Sequence, residues 1–242
     1  MEVCANGLTS ALAAEQGGAI RVELCDNLLE GGTTPSYGQI KLVTENLNIQ
    51  VYPIIRPRGG DFLYSDLEFE LMKADIQCCK ALGCDGVVIG MLLEDGSVDV
   101  ARCAVLIEIA RPMKVSFHRA FDRCEDLKIA MEDIIALGCE RILTSGGKPS
   151  ALEGASVIKA LIELAAGRIE IMPGSGIRDH NIREIIQLTG AKVFHATAKL
   201  PVSSAMQYVN VVLNQAAVGD ENNYELTTTA AVEQLIKRAN GS

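Results

Sequence analysis

Tryptophan is absent from this 242-residue chain, and the remaining aromatics are five Phe and five Tyr. A core of that size must be filled with aliphatic side chains, as in the layered interior of a barrel of parallel strands. Positive charge is also short, with 22 Lys and Arg against 31 Asp and Glu and a net charge of −9. A chain of that sign has no general attraction for nucleic-acid phosphates or an anionic membrane surface. No apolar run approaches the ~18 residues needed to cross a bilayer. The start, Met1-Glu2-Val3-Cys4-Ala5-Asn6-Gly7, lacks a basic stretch followed by a long apolar one, so neither a membrane protein nor a secretory leader is expected. There is no Cys-x-x-Cys pair, and the eight cysteines are scattered through periodic segments, which reads as reduced thiols in an intracellular compartment.

What is present is an alternation of strand-like and helix-like segments. Apolar runs fall at Glu2 to Ala5, Ile20 to Cys25, Val51 to Arg56, Gly86 to Gly90, Lys114 to His118, Arg141 to Thr144, Ile169 to Pro173 and Lys192 to Ala196. Between them lie amphipathic patterns such as Asp66 to Leu82 and Ser150 to Ala165. Gly17-Gly18-Ala19, Gly83-Cys84-Asp85, Gly138-Cys139-Glu140 and Gly190-Ala191-Lys192 precede the second, fourth, sixth and eighth runs, where a left-handed glycine ends a helix and the chain turns into a strand. The third, fifth and seventh runs lack that signal, giving a repeat of paired βα units. Eight such units in a chain of this length predict an α/β protein, a single-domain (β/α)8 barrel over 1–242. A doubly wound open sheet is the alternative, but no GxGxxG follows the first strand. The tail breaks the rhythm: a long loop over about 199–228 contains the apolar stretch Tyr208 to Leu213 and the polar run Gly219 to Asn223, before a final helix at Thr229 to Arg238. A loop of that length is expected to cover the barrel mouth or meet another subunit.

Glu-x-Cys occurs twice, as Glu2-Val3-Cys4 and Glu23-Leu24-Cys25. Strand side chains alternate faces, so each Glu points the same way as its Cys, and on neighbouring parallel strands two carboxylates and two thiols share one patch. Other strand ends are polar too, with Arg56 and Arg58 after the third, His118 and Arg119 at the fifth, Thr144 and Ser145 at the sixth, and His195 and Thr197 at the eighth. Barrels do their chemistry at that rim.

Arg56, Arg58 and Asp61 in the Gly-rich third loop can grip a carboxylate or phosphate, or Arg56 can pair with Glu2 or Glu23 inside the barrel. Thr144, Ser145, Gly174, Ser175 and Gly176 complete an anion-contacting loop set. His118, facing inward with Ser116, suits a general acid or base, with Glu2 or Glu23 as its partner; the alternative is a histidine held by an acid as part of the core. Cys4 and Cys25, as paired soft thiolates without a set of neighbouring histidines, suit Cu(I) better than a four-ligand Zn site; the alternative is inert packing of two barrel cysteines.

Met1-Glu2-Val3-Cys4, Arg21-Val22-Glu23-Leu24-Cys25, Glu30 to Ser36, Ile55-Arg56-Pro57-Arg58-Gly59-Gly60-Asp61-Phe62, Phe117-His118-Arg119-Ala120-Phe121-Asp122, Leu143 to Gly146 and Met172 to Ile177 together resemble the CutC family of copper homeostasis proteins, with the look of an animal-type member. The resemblance runs to about His195 and weakens in the tail. It implies a (β/α)8 barrel located in the cytoplasm and also the nucleus, self-association into a homo-oligomer, and Cu(I) binding, with the proposed copper cysteines falling on Cys4 and Cys25. Ser175 stands where a third glycine is expected in many relatives. Two functions follow: Cu(I) binding through the paired thiolates, or an enzyme acting on a small anionic or phosphorylated metabolite, with His118 moving a proton.

Overall fold

The computed structural model describes residues 1–208 and 222–241. Residues 209–213 of the apolar tail stretch and 219–221 of the polar run lie outside the described residues. Eight strands run in parallel: β1 Glu2–Ala5, β2 Arg21–Leu24, β3 Gln50–Pro53, β4 Gly86–Ile89, β5 Lys114–Phe117, β6 Arg141–Thr144, β7 Glu170–Pro173 and β8 His195–Ala196. The helices between them are α1 Leu8–Gln16, α2 Tyr37–Asn46, α3 Asp66–Ala81, α4 Val100–Ala110, α5 Leu127–Ala136, α6 Ala155–Ala165 and α7 Ile182–Thr189. The hydrogen-bonded order is β3-β2-β1-β8 in one arc and β4-β5-β6-β7 in the other. A parallel bridge between Ile54 and Val88 joins the arcs on one side. On the other side no ladder links β7 to β8 among the described residues. This is the (β/α)8 barrel expected from the alternation.

Local chemistry sets the boundaries. Ser36, Asp99 and Asp126 cap α2, α4 and α5 with their side-chain oxygens, and Ser65 with Glu68 forms a reciprocal capping box at the start of α3. The four glycine turns are left-handed as expected, with φ near +80° at Gly83 and Gly138. The seventh strand has such a turn as well, because Gly167 takes φ +79° after Ala166. The paired repeat read from the sequence is therefore less strict than it looked. α6 begins at Ala155 and not at Ser150; its N-cap residue Gly154 lies so tightly against the Ser145 carbonyl that no side chain fits there.

Two layers of burial result. Outward-facing aliphatic residues such as Val3, Val22, Val87 and Ile142 pack under the helices. A small inner cluster of Cys4, Cys25, Tyr52, Ile54 and Val88 occupies the barrel lumen. Polar side chains share the lumen: Tyr52 lies between the Arg21 and Arg141 guanidinium groups, 5.2 and 5.4 Å from its ring centre. After β8 the chain makes an antiparallel ribbon of β9 (Lys199–Ser203) and β10 (Asn223–Thr227), and then α8 (Thr229–Ala239). Val232 of α8 packs against Gly17 at the end of α1.

Candidate functional site

The register of the first strands arranges the site. Glu2 stands level with Arg21 on β2 and with His195 on β8, while Cys4 stands level with Glu23. All of these side chains are buried. Glu2 is ion-paired with Arg21 and receives His195 Nδ1 at 2.7 Å. His195 Nε2 lies 3.4 Å from Glu23. The result is a chain Arg21, Glu2, His195, Glu23 that ends beside Cys4. Gly174 makes this possible, because a Cβ there would crowd His195 and overlap Leu143.

The two sulfurs, Cys4 Sγ and Cys25 Sγ, are 3.5 Å apart, and Cys4, Glu23 and Cys25 offer donor atoms that all lie within 4.8 Å of one another. Among the described residues this is the one cluster of three such ligands. With metal–sulfur bonds of about 2.3 Å, sulfurs at this separation would subtend roughly 100° at a shared ion, and opening to a trigonal site needs about 0.5 Å more. Two soft sulfurs and one carboxylate therefore fit a low-coordinate soft ion with a small adjustment. They do not supply the four ligands of a closed zinc site.

Electrostatics follow from burial and neighbours. Burial alone would raise Glu2, but His195 and Arg21 hold its pKa at about 2. Burial, opposed by His195, raises Glu23 to about 8. His195 is held protonated, well above its ordinary range, because Glu23, Cys4 and Glu2 outweigh burial. The neighbouring Cys25 thiol, helped by His195, draws Cys4 down to about 5, whereas Cys25 is pushed up. One thiol of the pair is thus primed as a thiolate.

A cavity of about 230 Å³ opens above this cluster at the C-terminal ends of the strands. Cys4, Glu23 and His195 reach its floor. Arg56, Phe62 and His118 form one wall, and Ser175, Gly176, Arg178 and Lys199 form the other. Among the described residues of the tail, Lys199, the first residue of β9, reaches the barrel mouth.

The remaining expected site residues divide. Arg56 is buried and does not pair with Glu2 or Glu23; it donates to the carbonyls of Glu30, Gly32 and Gly60 and stacks on Phe62. Arg58 turns away from the cavity to bind Asp61 and Glu68. Asp61 borders a neighbouring cleft instead. Thr144 and Ser145 both bond Asp122, which also receives Arg119, so they brace Arg119 and do not face the cavity.

His118 lines the cavity with its Nδ1 accepting the Ala120 N–H at 3.1 Å. Burial and Arg56 depress its pKa to about 3. At neutral pH it is an uncharged imidazole with the proton on Nε2, which makes it a hydrogen-bond donor and not a base. Glu2, expected as a partner base, is fully occupied below the floor. His195 was expected only as one of the polar strand ends, with no role assigned to it, and Arg21 was not among the expected site residues. Closure of the barrel was the available signal for His195, since the eighth strand must lie beside the first.

Sequence and structure comparisons agree with the barrel fold. The CutC family matches residues 1–200. A CutC family protein of Chromobacterium violaceum is 49% identical over 239 residues, covering 99% of this chain and 97% of its own. The copper homeostasis protein cutC homolog of Homo sapiens is 50% identical over 229 residues, covering 95% and 84%. A crystal structure described as the copper homeostasis protein CutC of Streptococcus agalactiae superposes with a TM-score of 0.78 at 41% identity, covering 81% of this chain and 97% of that one. With that match across most of its length, this chain belongs to the CutC family.

Proposed function

We propose that the protein handles copper by binding Cu(I) between Cys4 and Cys25, with Glu23 as a third donor. The observation that carries this reading is the pair of buried sulfurs 3.5 Å apart with a carboxylate within reach of both. Soft sulfur ligands at low coordination favour Cu(I) over harder divalent ions. The lowered Cys4 pKa supports it, since a thiolate is the ligand form, while Cys25 and Glu23, whose pKa values are raised, each release a proton on binding. Copper here is cargo, and the Arg21–Glu2–His195 chain fixes the carboxylate that faces it, as outer-shell partners do at metal sites. The copper homeostasis naming of the human relative points the same way. We further infer cytoplasmic and nuclear residence and self-association, the latter through the tail ribbon.

Anaerobic Cu(I) titration against a chromophoric competitor tests the site. The wild type should take one Cu(I) per chain, Glu23→Gln should weaken it roughly 10- to 100-fold, and Cys4→Ser or Cys25→Ser should weaken it further. Equal affinity in the wild type and the double serine variant would remove the proposal.

A further inference from the structure

Copper leaves the cavity walls unexplained. A two-coordinate or three-coordinate ion needs only the floor, yet the walls carry Arg56, Arg119, Arg178 and Lys199 against the single acid Glu23, in a protein of net charge −9. Two of these cations already have a carboxylate: Arg119 binds Asp122, and Lys199 binds Glu225. Arg56 and Arg178 have none among the described residues. Arg56 gives its charge to backbone carbonyls, and Arg178 reaches only the Ile177 carbonyl and the Thr197 hydroxyl.

A buried guanidinium without a counterion is costly, and such a site is completed by an anion. The same wall carries a second sign of a missing partner. His118 is 3% exposed, and its Nε2 lacks any hydrogen-bond partner among the described residues. Because Nδ1 of His118 is taken by the Ala120 N–H, the unpartnered nitrogen is the one that donates. Phe62 fixes the spacing between Arg56 and His118, with its ring centre 5.0 Å from the Arg56 guanidinium carbon and 5.0 Å from the His118 ring. Gly90 gives the histidine its place, since any side chain there would overlap the ring. Across the cavity, Ser175 and Gly176 both have positive φ, 76° and 71°. They turn their loop so that it follows the cavity wall.

We propose that this cavity is a binding site for a small phosphate monoester, whose dianionic head is held between Arg56 and the His118 Nε2–H on one wall and Arg178 on the other. Two cations without carboxylate partners match two negative charges, and guanidinium groups suit the phosphate oxygens. At about 230 Å³ the cavity holds roughly eight water-sized groups, enough for the head and a short carbon chain. The site does not depend on copper.

Calorimetric titration of the copper-free protein at low ionic strength, with glycerol 3-phosphate and inorganic phosphate as probes and malate as the dicarboxylate control, tests it. Saturable binding of one glycerol 3-phosphate per chain is expected, weakened tenfold or more in Arg178→Gln and in His118→Phe, each change removing one charge-assisted bond. Arg178 is exposed and makes only two long bonds, so its variant keeps the wild-type melting temperature and isolates the binding role. Cys25→Ser should lose copper yet keep phosphate affinity within twofold, which separates this site from the copper reading. No saturable binding by the wild type, binding unchanged in both variants, or malate bound more tightly than glycerol 3-phosphate would each overturn the proposal.

Discussion

Replacing Glu2 with Gln keeps the shape of the side chain and removes the charge that Arg21 and His195 share. The structure sets the size of the effect. Glu2 is buried, and its pKa falls from 4.5 to about 2, which at 1.36 kcal/mol per pKa unit is about 3 kcal/mol of stability at neutral pH. Removing one partner of a buried ion pair costs 3–5 kcal/mol by general experience, in the same range. For a chain of this length that lowers the melting temperature by about 6–20 °C. The sign with pH is fixed because the folded pKa lies below the unfolded one. The stabilisation is complete above about pH 4.5 and is lost as pH falls through 2, so at pH 3 less than half of it, about 1.4 kcal/mol, remains. Urea denaturation of wild type and Glu2→Gln at pH 7 and pH 3 should therefore show a large gap that narrows in acid. A gap below 1 kcal/mol at pH 7, or one of equal size at both pH values, would refute the account of Glu2 as the charged centre of this network.

Three further outcomes are expected. His118 has its folded pKa depressed to about 3, so its neutral form stabilises the fold fully above about pH 6.5 and that contribution is lost as pH falls toward 3; His118→Phe should show a shallower loss of stability between pH 6 and 4 by chemical denaturation. Ser175→Gly relieves a left-handed φ worth about 1–2 kcal/mol but loses the hydroxyl bond to the Pro149 carbonyl, leaving stability within about 1 kcal/mol of wild type, whereas Ser175→Val should destabilise by about 2 kcal/mol or more in the same assay. Gly90→Ala places a methyl group on the His118 ring, so phosphate binding by calorimetry should fall with His118→Phe while copper affinity stays near wild type.

Much of the architecture was legible because it rests on period and punctuation. The eight strands, the glycine turns and the shared inner face of the two Glu-x-Cys motifs all follow from alternation and helix ends. The level at which neighbouring strands stand was not legible: the offset that puts Cys4 opposite Glu23, and Glu2 opposite Arg21 and His195, is a property of barrel shear and leaves no local trace. Parity could have corrected one expectation. Arg141 turns into the lumen against Tyr52, so Thr144, an odd number of residues along, turns outward, where it meets Asp122. Arg58 could not be separated from Arg56 by sequence, because alternation ends where β3 gives way to the Pro57 loop, and the difference between them lies in which carbonyls and acids the fold brings near.

The incomplete seam between β7 and β8 has a mechanical consequence. Every other neighbouring pair of strands is stitched by backbone bonds, but here, among the described residues, the arcs meet through packing such as His195 against Gly174. A barrel with one unstitched edge can breathe along that line without breaking a ladder, and His195, on the two-residue strand β8, is its hinge pin. Local opening there would loosen the imidazole from both carboxylates at once and give the buried sulfurs a way out to solvent. Amide hydrogen exchange at Phe194 to Ala196 should accordingly run ahead of that in β1 and β2.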